Sequence, residues 1–115
     1  MPETQPLGDC PLNLPALGRA SNRGKTSTEL AVFDGTSVRF VHALGQNEWH
    51  RHDFDEGFYL IDADFALQFE FGRVQLSPGD FFVVGRGLKH RGTSESGASL
   101  LRFERKHGTT SVLKE

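Results

Sequence analysis

A single all-β domain, a sandwich or barrel, is the fold class this sequence predicts. Three observations lead there. Short apolar stretches recur at intervals of about eight to twelve residues, separated by turn residues, with no long helical period between them. The composition includes ten Phe and thirteen Gly, and these residues suit pleated surfaces and turns better than helices. The stretch from Asp64 to Phe71 alternates strictly, with Phe65, Leu67, Phe69 and Phe71 facing one way and Asp64, Ala66, Gln68 and Glu70 the other. A two-residue period marks a half-buried strand.

The elements follow in chain order. Four of the five prolines (Pro2, Pro6, Pro11 and Pro15) fall near the start, so residues 1–28 read as an irregular N-terminal arm with a short helical turn near Leu14 to Arg19. Residues 29–115 read as the barrel domain. Glu29 to Phe33 forms a strand ending at Asp34-Gly35, a strong hairpin signal. Ser37 to Ala43 places Val38, Phe40 and His42 on one face and Arg39 and Val41 on the other. Gly57 to Ile61 is apolar and aromatic. The Phe65 to Phe71 stripe is core, and Gly72-Arg73 turns it into Val74-Gln75-Leu76. Ser77-Pro78-Gly79-Asp80 is a turn in which proline presets φ. Phe81 to Val84 is apolar throughout, as for a strand covered on both faces. Ala98 to Glu104 supplies the last strand.

The 115 residues, 37% hydrophobic and 24% charged, suffice for one sizeable core without a disulfide framework. No apolar run reaches membrane-helix length, the N-terminus lacks a signal-peptide pattern, and the lone Cys10 favours a reducing compartment. The expectation is a cytoplasmic protein without a membrane partner. A formal net charge of −2 gives a nucleic-acid partner no electrostatic support.

The chemistry concentrates in Trp49-His50-Arg51-His52-Asp53-Phe54-Asp55-Glu56, with His90 far downstream. On a strand, His50 and His52 leave the same face, about 7 Å apart at Cα. Glu56 lies at even spacing from both. His90 follows the loop Gly85-Arg86-Gly87-Leu88-Lys89, which in a closed barrel delivers a group from across the pocket. Three imidazoles and a carboxylate, with no thiolate, make a site for Mn, Fe, Ni, Cu or Zn. A surface His-x-His beside an acidic loop is the plainer reading of the same residues. Residues 85–107 carry six basic side chains against Glu95 and Glu104, and Arg86 and Lys89 flank the His90 loop. A small anionic ligand would be attracted there. His42 reads as a core or rim histidine, and His107 as solvated.

At these residues the sequence resembles the cupin superfamily, in particular its small single-domain members. The first family motif runs here as Gly45, four residues, His50-Arg51-His52, three residues, Glu56, six residues, Ala63. The second runs as Gly79, five residues, Gly85-Arg86-Gly87, two residues, His90, three residues, Ser94. Leu76 to Val84 is similar to the approach to that second motif. Ala63 stands where the family has Gly, Gly85 where it has Pro, and Ser94 where it has Asn. The resemblance implies a jelly-roll β-barrel, often a homodimer, with one divalent transition metal ion held by His50, His52, Glu56 and His90. It is compatible with metal chemistry of dioxygenase or isomerase type on a small organic molecule, and on the charge balance Arg86 or Lys89 would orient an anionic substrate. The alternative is a non-catalytic binding or sensing module built on the same pocket.

Overall fold

The structure is a computed structural model that describes residues 11–20 and 24–113. Residues 1–10 of the expected arm, Cys10 among them, lie outside the described residues. One helix, α1 (Leu14–Ala20), precedes nine strands: β1 (Thr26–Phe33), β2 (Thr36–Gln46), β3 (His50–His52), β4 (Glu56–Ala63), β5 (Phe65–Phe69), β6 (Gly72–Leu76), β7 (Phe81–Val84), β8 (His90–Arg105) and β9 (Thr110–Val112). Asn13 caps α1, its Oδ1 accepting from the Ala16 amide at 2.9 Å, as expected of an N-cap asparagine. The first strand begins at Thr26, three residues before the sequence-based boundary at Glu29.

The long strand β8 organises the barrel because it serves both of its walls. Its C-terminal half pairs with β2 and β4, and its N-terminal half with β5 and, at His90, β3. Gly97, with φ 101°, sits where the two halves meet and takes a conformation that L side chains rarely adopt. Strand β7 extends one wall from β4, β6 extends the other from β5, and β9 lies against β3. All pairings are antiparallel. Between the walls lies an apolar core of Phe58, Leu60, Phe65, Leu67, Phe69, Leu76, Val84, Ala98 and Leu100. This is a curled antiparallel jelly roll.

Two expectations need correcting, and β2 gains an orientation that the sequence left open. The β5–β6 turn falls at Glu70-Phe71, because Phe69 already pairs with Gly72. Phe71 is therefore displaced from the core stripe and is 74% exposed, stacked on Phe69 at 4.9 Å. Strand β7 is not covered on both faces: among the described residues it pairs only with β4, and Phe81 and Val83 are 56% and 50% exposed while Val84 is buried. On β2 the barrel-facing side is the one carrying Val41 and Ala43, which pack on the core. Val38 and Phe40 are buried on the opposite face, paired with Phe103 and Leu101. The Asp34-Gly35 hairpin forms as expected, with φ of 51° and 74° and Phe33 pairing Thr36, the signature of a two-residue turn matched to strand twist.

Candidate metal centre

Backbone pairing brings the two distant histidine segments together. His50 on β3 is the register partner of His90 on β8, and His90 is also the partner of Phe69 on β5. Two residues along β3, His52 faces into the barrel on the same side as His50. Glu56, the first residue of β4, lies on the inward face that continues through Phe58 and Leu60. One ligand atom from each of His50, His52, Glu56 and His90 lies within 4.8 Å of all the others. His52, Glu56 and His90 are buried, at 9%, 2% and 1% exposure. Four side chains separated by up to forty residues thus meet at one point.

Each imidazole is held by its other nitrogen. His50 Nδ1 lies 2.8 Å from the Glu48 carbonyl oxygen, and His90 Nδ1 lies 2.7 Å from that of Leu88. A carbonyl only accepts, so both Nδ1 atoms carry the proton and donate it. In the neutral rings this leaves the Nε2 lone pairs free to face the cluster. His52 Nδ1 is 2.8 Å from Thr110 Oγ1 on β9, and its ring stacks on Phe54 at 4.6 Å. Such partners orient metal-binding imidazoles and fix their tautomers.

Inside the cluster, the polar atoms are close but poorly satisfied by one another. Glu56 Oε1 lies 3.0 Å from His52 Nε2 and 3.2 Å from His90 Nε2. His52 Nε2 is nevertheless buried without a hydrogen-bond partner among the described residues. His90 Nε2 can donate to Glu56 only by carrying a second proton. Lone pairs and a carboxylate oxygen at these separations require a cation between them, a proton or a metal ion. Burial raises the Glu56 pKa, but the close approach of His52 and His90 and the charges of His52 and Arg102 outweigh it and hold it at about 2. Burial, with the neighbouring His90 and His52, lowers that of His50 despite its bond to Glu48. A carboxylate kept ionised and an imidazole kept neutral are the protonation states a divalent ion needs. The donor set fits Mn, Fe, Ni, Cu or Zn.

The cluster lines a cavity of about 460 Å³ together with Lys25, Asn47, Phe58 and Arg102, a volume within the usual range for small-molecule sites. Arg86 and Lys89 lie outside it. Arg86 borders other surface depressions, and its amide donates to Asp55 Oδ1 at 2.9 Å. Lys89 reaches Glu70 at 3.3 Å and sits over the Trp49 ring. The cation that does face the cluster is Arg102, with Nε 3.5 Å from Glu56 Oε2 and 2.8 Å from Glu104 Oε1. Alternation along Ala98, Leu100 and Arg102 on β8 was the available signal for it, since a charge on a core-facing row implies a polar cavity. Nothing in the local sequence marks Thr110. His42 is a rim residue, its Nδ1 donating to the Gly24 carbonyl at 2.6 Å.

No protein-family model matches the sequence, and no curated protein matches it. Solved structures do. A cupin-2 domain protein from Shewanella frigidimarina superposes with a TM-score of 0.75 at 20% identity, covering 82% of this chain and 93% of its own. This is a cupin fold. A sugar phosphate isomerase of the cupin superfamily from Silicibacter pomeroyi matches with a TM-score of 0.66 and 17% identity over 80% of this chain and 67% of its own. A salicylate 1,2-dioxygenase from Pseudaminobacter salicylatoxidans matches with a TM-score of 0.63 and 17% identity over 70% of this chain and 26% of its own. The positions that depart from the motifs are also defined in the structure. Ala63 adopts φ 70°, a left-handed conformation that glycine takes more readily, here with a Cβ in it. Ser94, 1% exposed, accepts a hydrogen bond from the Gly97 amide at 3.1 Å and steadies the β8 bend.

Proposed function

We infer that this protein is a metal-dependent cupin that acts on a small organic molecule within the barrel. The observation that carries this reading is the convergence of three oriented imidazoles and one buried carboxylate on a single point. His50, His52, Glu56 and His90 would hold the ion, which when bound supplies a Lewis acid for polarising a substrate oxygen or for oxygen chemistry. The chain's own residues provide the rest. Phe54 and Phe69 wall the histidines, limiting water, and Thr110, Glu48 and Leu88 fix the rings. The dioxygenase and isomerase among the structural neighbours support a reaction of one of those two types. A cytoplasmic site of action belongs to the same reading, on the strength of the single cysteine.

The second reading is a non-catalytic binding or sensing module. It is favoured by the shortage of spare acid–base groups: among the described residues no histidine outside the ligand set lines the cavity and Glu104 is paired to Arg102, which leaves Glu48 and Lys25. Metal analysis of tag-free protein, reloaded in turn with Mn, Fe, Ni, Cu and Zn, tests the shared premise. About one ion per chain is expected, lost in His52→Ala with the β circular dichroism unchanged. A wild type that retains none of these ions after dialysis overturns both readings. Turnover in a screen of small acids and sugar phosphates selects the enzyme, and metal-dependent binding without turnover selects the module.

Self-association is part of the proposal. Phe33, Phe81 and Val83 are about half exposed at 47%, 56% and 50%, and β7 is an edge strand with only β4 as neighbour. A homodimer would cover this apolar surface and edge.

A further inference from the structure

We infer that Gly108 is a positioning residue of the metal centre: it leaves room for the Phe54 ring, which in turn sets the tilt of the His52 imidazole. The inference rests on the metal-dependent reading above and adds to it a residue far from His52 in the chain. Phe54, between β3 and β4, is buried at 5% exposure. Its ring stacks on His52 with centres 4.6 Å apart and planes 23° apart. Against the edge of that ring stands Gly108, between β8 and β9. A methyl group on Gly108 would overlap Cδ2 and Cε2 of Phe54. The φ of Gly108 lies outside the left-handed region, so the backbone conformation there does not require glycine. The packing does require it. A close-packed interior has no slack for such an overlap, so a side chain at 108 must displace the ring on which His52 rests.

The neighbouring backbone holds Gly108 in place. The Asp53 amide donates to the Thr109 carbonyl at 3.1 Å, and the Thr109 amide donates to Asp53 Oδ1 at 2.8 Å. Arg105 Nη1 approaches Asp53 Oδ2 at 3.9 Å, and His52 is the register partner of Thr110. Residues 108–110 are thus fastened to residues 52–54, and a shift of either segment breaks these bonds. His52 is restrained in two ways. Thr110 Oγ1, 2.8 Å from Nδ1, fixes one atom of the ring but leaves it free to tilt about that bond. Phe54 covers the face of the ring and removes the tilt. The Nε2 lone pair lies in the imidazole plane, so the tilt decides whether it points at the other three ligands.

Cobalt-loaded protein provides two readouts independent of turnover: the visible bands of the bound ion report its geometry, and competition with a chromophoric chelator reports its affinity. Gly108→Ala is expected to shift the bands and to weaken cobalt binding about tenfold. Phe54→Ala, which removes the ring, is expected to weaken it by a similar factor. In the double variant the added methyl group meets no ring, so its affinity should equal that of Phe54→Ala, the non-additivity of residues in contact. Leu76→Val, a core variant at the end of β6 away from His90, should lower the melting temperature with the bands unchanged. Wild-type affinity in either single variant overturns the proposal, as does an additive loss of about a hundredfold in the double variant. A band shift in Leu76→Val equal to that in Gly108→Ala also overturns it, because lost stability would then explain the effect. If Gly108→Ala alone fails to fold, the double variant still decides: affinity equal to that of Phe54→Ala supports the proposal, and a further loss overturns it. Failure of the wild type to retain cobalt shows before any variant is made, and it overturns the metal reading itself.

Discussion

Glu56 illustrates how a buried charge is kept. Its carboxylate is 2% exposed and stays ionised because two imidazoles and a guanidinium surround it. Its folded pKa, about 2, lies below its ordinary value of 4.5. The stabilisation is therefore present above pH 4.5 and lost as pH falls toward 2. Metal-free protein should lose stability across that window in urea titrations, by an amount on the order of 2–3 kcal/mol, and Glu56→Gln should flatten the curve there. A wild-type curve as flat as that of the variant would refute this. Ala63 offers the opposite case, a residue whose backbone is strained at φ 70°. Ala63→Gly relieves the Cβ clash but gives the unfolded chain more freedom, for a net gain of about 0.5–1 kcal/mol. Thermal melts should show a rise of a few degrees, and a lower melting temperature would contradict the strain.

At the scale of the element, β9 matters more than its exposure suggests. All three of its residues are exposed, yet it supplies the pairing partner of β3 and the hydroxyl that bonds His52 Nδ1. Thr110→Val should weaken zinc binding about tenfold, the lower end for losing a residue that orients a ligand, with the melting temperature little changed. A chain truncated after residue 108 should lose more, since β3 then has only its single contact with β8. Competition against a chromophoric chelator measures both, and wild-type affinity in the truncated chain would remove β9 from the site. The loop before β8 behaves differently. Gly85 keeps a negative φ, and a Cβ there meets nothing within 4 Å. Gly85→Ala should therefore stabilise the fold by about 0.4–1 kcal/mol by restricting the unfolded chain, read as an increased urea midpoint. A decreased midpoint would show that the loop needs the freedom of glycine.

Over the whole molecule, the barrel opens at the cavity that holds the cluster and leaves an apolar strip on an outer surface. Phe81 lies at an edge against Phe103, ring centres 5.9 Å apart, and Val83 continues the strip. Phe81→Glu should convert a dimer to a monomer in light scattering while leaving metal content intact, because β7 contributes its other face, through Val84 and Phe82, to the core. A wild type that is monomeric at high concentration would dispose of the dimer. Much of this architecture could be read from the sequence. Strict alternation over Phe65 to Phe69, the Asp34-Gly35 turn and the His-x-His spacing are local signals, and each acts over a few residues through side-chain direction or backbone φ. Where alternation ran past the strand end, as at Phe71, or where apolar content was taken for burial, as at Phe81 and Val83, the local signal failed because burial depends on what packs opposite. The same division holds at the site. By itself the sequence determined the all-β class and which residues bring ligand-type side chains to one strand face, since these follow from residue type and period. Only the tertiary structure decided that His50 pairs with His90, that Thr110 orients His52, and that Arg102 rather than Arg86 or Lys89 faces the cluster. Those relations arise from strand register and the bend of β8, which join residues too distant in the chain for any local pattern to link.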